Sequence, residues 1–381
     1  MTHRALALTI GLALLAAGAS CDRVQGGSSA GVVPTCSLQT DPVLDGRQGD
    51  ALVAISGSTP GAMWAVGSHY AGLKETAIAF RWSGSTWTTT PVAIAGRSAN
   101  ALRLEDVSAS GASDVWAVGY DHRGTAAIHW NGTSWTDVGT PPIPGGVNGD
   151  LLGVAAAGPR SAWAVGQALV HRTMSAVIER WDGSRWSLVA APRPPGQSSS
   201  LKDIATGTGG ATWAVGWYVT DDGTYRPLAE RWQGSRWEIV AAPHGRGQTT
   251  LSAVSVVGPS SAWAVGWSWV GRRSTSLVLH WNGTGWTRSH LPGPNGAQAR
   301  VAHVAPARGG VAVVGEVADP HGIMRPVAFV KRGTAWTELG VQGADMGGNL
   351  LGVTSMGVQG LMSVGEAQAT RNYASLVVHG C

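Results

Sequence analysis

Apolar residues come in short runs, each closed by a glycine or a polar turn. The segment 261–286, SAWAVGWSWVGRRSTSLVLHWNGTGW, shows the whole frame. A WAVG run leads into a variable loop, then an apolar run ending in His280-Trp281, a turn at Asn282-Gly283, and Trp286. The frame returns along the chain. Its closing glycines are Gly67, Gly119, Gly166, Gly216 and Gly266, and altered copies end at Gly315 (AVVG) and Gly365 (MSVG). Upstream of each stands an apolar anchor: Leu52, Leu104, Leu151, Leu201, Leu251, Val301 and Leu350. Downstream stands a tryptophan pair, from Trp82/Trp87 to Trp281/Trp286. The sixth copy has Lys331 and Trp336 there, and the seventh stops at Cys381, where its turn would begin. A repeat of about 50 residues with four short apolar runs marks an array of small sheets.

Side chains alternate along a strand, so Trp and Val of WAVG point to one face and Ala and Gly to the other. Both faces are apolar, which predicts burial on both sides. One face is bulky and one flat, so each sheet can seat its ridge on the next sheet's smooth side. The expectation is an all-β fold over residues 36–381: one seven-bladed β-propeller of four-stranded blades. The last copy lacks a fourth strand. The segment Thr35–Pro42 is expected to supply it, closing the ring and covering an edge strand. Asn-Gly and Asp-Gly pairs at 131–132, 182–183 and 282–283 predict tight hairpins. No segment has a helical period.

Composition narrows the function. Charged residues are 13% of the chain against a usual share of about 25%. The net charge is +4, and no Lys/Arg cluster points to nucleic acid. Residues 1–20 read as a targeting signal, with His3 and Arg4 before an apolar stretch from Ala5 to Ala17 that is too short to span a membrane. Ala17-Gly18-Ala19 fits ordinary signal-peptidase cleavage. Gly18-Ala19-Ser20-Cys21 resembles a bacterial lipobox, which implies acylation of Cys21 and a membrane-anchored lipoprotein. Free secretion is the alternative; either way the mature chain lies outside the cytoplasm. Residues 21–35 are rich in glycine and serine and read as a flexible tether.

With its period and WAVG runs, the chain resembles bacterial extracytoplasmic β-propellers of the kelch or galactose-oxidase central-domain kind. It departs from kelch in having one glycine, not two, at the end of the second strand. The resemblance implies architecture and no activity. The stretch IERWDGSRW at 178–186 also resembles the strand hairpin of fucose-binding propeller lectins, which would give Glu179 and Glu230 a sugar-binding role.

Motifs for metal, nucleotide or thiol chemistry are absent from the sequence, and no cofactor is expected. Gly27-Ser28-Ser29-Ala30-Gly31 fits G-x-S-x-G but lies in the tether, without the strand and helix that would strain a nucleophile. His129, His280 and His379 share one third-strand position and read as packed histidines. The variable residues lie in the loops between second and third strands, where a rigid scaffold commonly displays function. Their densest aromatic and polar mix is Trp217, Tyr218, Asp221, Asp222, Tyr225, Arg226, Trp267, Trp269, Arg272 and Arg273. Such a mix suits a protein, peptide or glycan ligand. The reading is a non-catalytic, monomeric, cell-envelope binding protein. A glycosidase or lyase is the alternative, and would need converging carboxylates among Asp121, Asp221, Asp222, Glu316 and Asp319.

Cysteine parity adds one more expectation. Three cysteines are odd in an oxidising compartment; acylation of Cys21 would leave Cys36 and Cys381, which bracket the repeats. By the repeat frame, a Cys36–Cys381 disulfide would stand where a turn joins the third and fourth strands of the other copies.

Overall fold

The glycine that closes each WAVG run sits where the second strand crosses a bulge in the first. In the fifth sheet Gly266 pairs with Leu251, and the register then shifts between Leu251 and Ala253. The bulge pushes the carbonyl of Thr250 into the space a Cβ on Gly266 would occupy. The same overlap faces Gly67, Gly119, Gly166, Gly216, Gly315 and Gly365. Only glycine leaves room for this backbone approach.

The computed structural model describes residues 37–40, 49–72, 74–92, 94, 102–271, 273–342, 347–368 and 373–380. Five antiparallel sheets of four sequential strands span 50–90, 103–137, 146–189, 198–239 and 248–289. A further sheet has eight strands. It joins a sixth set (300–341) to a last set (348–380) through the strand Ser37–Thr40. That strand runs antiparallel to Tyr373–Gly380, with Gln39 opposite His379, and parallel to Ala335–Val341. It thus stands as the fourth strand of the last set, inside the segment expected to close the ring. Leu38 is fully buried there. Residues 35, 36, 41 and 42 lie outside the described residues.

The innermost strands are Asp50–Thr59, Arg103–Gly111, Gly146–Gly158, Ser198–Thr206, Gln248–Gly258, Arg300–Ala307 and Gly348–Ser355. Each touches the next, and the last returns to the first. They surround an axial cavity of about 310 Å³. Polar side chains stitch neighbouring sheets along this axis. Asp106 accepts a hydrogen bond from the Val154 amide and Asp203 one from the Val254 amide, both at 2.7 Å. The His303 imidazole accepts one from the Val353 amide at 3.4 Å. In the sets between, the equivalent position is small: Ala54, Gly153, Ala253 and Gly352. A Cβ on Gly153 would press on the backbone of Asp203 at 2.8 Å.

Tryptophans lock the sheets radially. The WAVG tryptophan of one sheet packs into the pair of the next. Trp213 lies 4.9 Å from Trp281 and 4.8 Å from Trp286, ring centre to ring centre. Trp64, Trp116 and Trp163 repeat the pattern. Each such pair adds about 0.5–1.5 kcal/mol beyond area burial. In the third strand a basic residue lies over the WAVG ring of its own sheet: Arg81 over Trp64, Arg180 over Trp163, Arg231 over Trp213. His280 stacks on Trp263 at 4.3 Å, and His129 packs on Trp116 at 4.6 Å while bonding Asp114 at 2.7 Å. His129 and His280 are thus packed histidines.

The turns between third and fourth strands form as the Asn-Gly and Asp-Gly pairs predict. Asn131, Asp182 and Asn282 each accept amide hydrogen bonds from the residues two and three positions on. Their glycines take φ near +100°. They also rest on the turn between first and second strands of the same sheet: Gly132 on Ser113, Gly183 on Arg160, Gly283 on Ser260. These two sets of turns therefore share one end of the ring. The hairpins between second and third strands emerge at the other end. Helix is confined to a six-residue turn, Gly293–Gln298, and two 3-10 turns among the described residues.

Candidate functional site

Alternation decides which of the candidate residues meet. In the fourth sheet the second strand Thr212–Val219 carries Trp217 to one side and Tyr218 to the other. Trp217 stacks obliquely on Tyr225 at 5.0 Å, and Tyr225 lies 6.3 Å from Trp269 of the fifth sheet. These three rings form a row across two sheets. Tyr218 instead packs against the core shared by the third and fourth sheets.

Trp269 continues into a cleft. Together with Trp267, Gly271, Ser274 and Arg300 it lines a cavity of about 400 Å³. A second cavity of about 590 Å³ adjoins it, sharing Ser274 and Arg300 and bounded further by Arg273, Gln298 and Met324. The cleft lies between the fifth sheet and the sixth set. Arg300 leads into the innermost strand of the sixth set, where the register places it opposite Glu316. Their charged atoms stand 3.6 Å apart, with half of the Arg300 side chain exposed. Burial raises the Glu316 carboxyl above its ordinary range, against the pull of Arg300. The short Gly293–Gln298 turn fills the connection below, and its Gln298 carbonyl accepts the Ser274 hydroxyl at 3.4 Å. One wall is thus indole, the other guanidinium and amide: a surface for a ligand with a flat or apolar part and an acidic or hydroxylated part.

Asp222 and Arg226 are tied up locally. Asp222 accepts hydrogen bonds from the Thr220 hydroxyl and the Thr224 amide, which hold its carboxyl below the usual range. Arg226 donates to the Gly247 carbonyl at 3.0 Å and so fastens its hairpin to the fifth sheet. Asp221 is exposed at the hairpin tip. Arg272 lies outside the described residues. Ser274, Gln298, Arg300 and Met324 were missed by the sequence reading. The available signal was positional: the residue before each anchor pairs with the residue after each WAVG glycine, so Arg300 had to reach this end.

The solved structure of YCF48 bound to D1 peptide superposes with a TM-score of 0.56 at 15% identity, over 88% of this chain and 94% of that one. The WD40 repeats of RRP9 superpose with a TM-score of 0.57 at 11% identity, over 92% and 99%. The extracellular domain of the putative one component system BT4673 from B. thetaiotaomicron gives 0.52 at 9% identity, over 89% of this chain and 40% of that one. The fold is a β-propeller. At these identities the likeness is one of fold alone. No protein-family profile and no curated protein matches the chain.

Other polar groups near this end of the propeller are paired with one another. Asp121 receives the Arg123 amide at 2.7 Å and its guanidinium at 3.3 Å. Asp319 receives the His321 and Ile323 amides and the Arg325 guanidinium. At the mouth of the axis Arg103 bridges Glu105 at 2.9 Å and Glu75 at 3.6 Å. Burial raises the Glu105 carboxyl and lowers the neighbouring Lys202 amine. Glu179 and Glu230 do not face solvent. Both are fully buried, and burial pushes their carboxyls up to about 8. The sugar-binding role that the lectin resemblance implied for them requires an open surface, which they lack.

Proposed function

We propose that the protein is a seven-bladed, kelch-like propeller of the cell envelope that binds a peptide or glycan in the cleft between its fifth and sixth blades. The observation that carries this reading is the pair of adjoining cavities lined by Trp267, Trp269, Arg273 and Arg300. They bring indole and guanidinium side chains together in one cleft. The blade count rests on five four-stranded sheets and an eight-stranded one made of two joined sets. YCF48, similar in fold, is a propeller solved with a bound peptide. Glycan and peptide arrays probed with the purified chain test the reading. Trp269→Ala or Arg300→Ala is expected to weaken binding by about 30-fold, the scale of a buried aromatic or arginine anchor. Asp221→Ala, at the hairpin tip away from the cleft, is expected to leave binding unchanged. Binding that survives both cleft substitutions would sink the proposal.

The reading includes an envelope location, with residues 1–20 removed on export and residues 21–35 linking an acylated Cys21 to the propeller. It also includes a disulfide. Ser37 lies against Gly380, with Gln39 opposite His379 and Thr40 opposite Val378. Cys36 and Cys381 themselves lie outside the described residues, each one residue beyond this paired end. A bond between them would close a loop of about 345 residues and, in the chain-entropy model, stabilise the ring by about 5 kcal/mol. Dithiothreitol should lower the melting temperature of the wild type and leave a Cys36→Ser/Cys381→Ser variant unmoved. Alkylation of both thiols in the folded, unreduced protein would refute the pairing.

A further inference from the structure

The two ends of the propeller differ in charge. At the end away from the cleft, Arg81, Arg180 and Arg231 lie over the WAVG tryptophans, and Lys331 lies 5.7 Å from Trp336. The turns at this end add exposed arginines: Arg160, Arg185, Arg236 and Arg308. Few carboxylates answer them. Asp182 stands 4.0 Å from Arg185, Glu238 receives Arg236 at 2.8 Å, and Asp114 is buried against His129. Asp137 and Glu338 sit further along the outermost strands. At the cleft end, by contrast, carboxylates pair directly with several of the arginines: Glu75 and Glu105 with Arg103, Asp121 with Arg123, Glu316 with Arg300 and Asp319 with Arg325.

The N-terminal strand enters at the basic end. Ser37 begins it opposite the close of the third strand, where the turns of the other sheets lie. Ser37, the first described residue, therefore stands at the end of the ring that carries these arginines.

We propose that this basic end docks on an anionic lipid surface, so that the cleft faces away from the membrane. The inference rests in part on the envelope reading, because an acylated Cys21 would set the headgroups within reach. About 16 residues of glycine- and serine-rich chain have a root-mean-square span of roughly 22 Å. The tether alone fixes no orientation; the charge does. Each arginine near an anionic surface contributes about fivefold in partitioning, and the attraction is lost within a Debye length as salt rises.

The test uses the full chain carrying Cys21→Ser, exported and purified, so that no acyl group contributes. Sedimentation with vesicles of phosphatidylglycerol and phosphatidylethanolamine is compared with sedimentation with phosphatidylcholine vesicles. Binding to the anionic vesicles alone is expected, and it should vanish at 0.5 M salt, a condition of roughly 4 Å screening length. Arg160→Glu/Arg185→Glu/Arg308→Glu should reduce partitioning by about a hundredfold or more. The control Lys74→Glu/Arg172→Glu/Arg193→Glu makes the same charge change at the cleft end and should change it less than about threefold. Equal losses in the two triple variants, equal binding to both vesicle types, or capture by soluble polyphosphate without vesicle binding would each overturn the proposal. Mass spectrometry of the wild-type N-terminal peptide tests the anchor separately. An unmodified Cys21 would overturn the anchor and leave the vesicle result to decide the surface.

Discussion

Gly266→Ala is expected to abolish the cooperative folding transition, while Gly258→Ala in the same sheet leaves it intact. Both substitutions add one methyl group to a glycine of the fifth sheet. At Gly258 no heavy atom lies within 4 Å of the new Cβ. At Gly266 the Cβ would overlap the Thr250 carbonyl oxygen and crowd the Leu251 Cα at 2.8 Å. Both obstacles are backbone, so no rotamer change relieves them. Relief would need the first strand to move away and surrender its pairing with the second, and with it the burial of Leu251 in the core between the fourth and fifth sheets. Such strain belongs to the exceptional class of single substitutions, above about 4 kcal/mol. Chemical denaturation followed by tryptophan fluorescence measures it. A Gly266→Ala midpoint close to that of Gly258→Ala would show that the bulge is not what holds glycine in the repeat.

This glycine also explains how much of the fold could be read from the sequence. The frame was legible because each copy needs the same backbone approach and the same inter-sheet tryptophan seat. The altered copies are a different matter. AVVG and MSVG look degenerate when a copy is read alone, yet a WAVG tryptophan serves the next sheet, not its own. The last set offers no tryptophan pair, because its fourth strand is Ser37–Thr40 with Leu38 inside; its neighbour accordingly presents Ala312, and both lie in one core. The first sheet does offer Trp82 and Trp87, and the last set meets them with Met362. Lys331, in place of a first tryptophan, keeps contact with Trp263 at 6.0 Å through its charge. The departures follow the neighbour, which a one-dimensional repeat frame does not reveal.

The cleft was only half legible for the same reason. Trp267, Trp269 and Arg273 share a hairpin and could be found together. Gln298, Arg300 and Met324 come from later in the chain, and the turn that carries Gln298 is too short to show a helical period. The axial residues Asp106, Asp203 and His303 escaped notice because each is single in its copy. Their role is visible only when the first strands stand side by side.

Glu179 and Glu230 should make the protein lose stability as pH rises through neutrality, and replacing both should remove most of that loss. They occupy one third-strand position in consecutive sheets, opposite Ala164 and Ala214 in the cores between the second and fourth sheets. Elsewhere that position holds Phe80, Ile128, Leu279, Phe329 or Val378. Neither carboxyl oxygen of either residue has a hydrogen-bond partner among the described residues. Burial favours the neutral form and lifts both groups from 4.5 to about 8. Below pH 4.5 folded and unfolded chains are both protonated, and these groups exact no penalty. Between 4.5 and 8 the unfolded chain releases the two protons while the folded chain keeps them, so stability falls by about 1.4 kcal/mol per pH unit for each group. At pH 7 the loss is on the order of 3 kcal/mol for each, and above 8 it levels off. Asp203, lifted to about 7 by burial, adds a slope of the same sign. His303, lowered to about 4 by burial, has the opposite sign: its contribution is full above 6.5 and is lost toward pH 4. The difference between variants isolates the glutamates. Glu179→Gln/Glu230→Gln should flatten the fall in melting temperature between pH 5 and pH 8. Glu179→Leu/Glu230→Leu, which copies the fifth sheet at Leu279, should also raise the melting temperature at pH 8 by more than at pH 5. Parallel curves for wild type and both double variants would mean that the two carboxyls ionise in the folded ring without cost, and that the cores around Ala164 and Ala214 admit water.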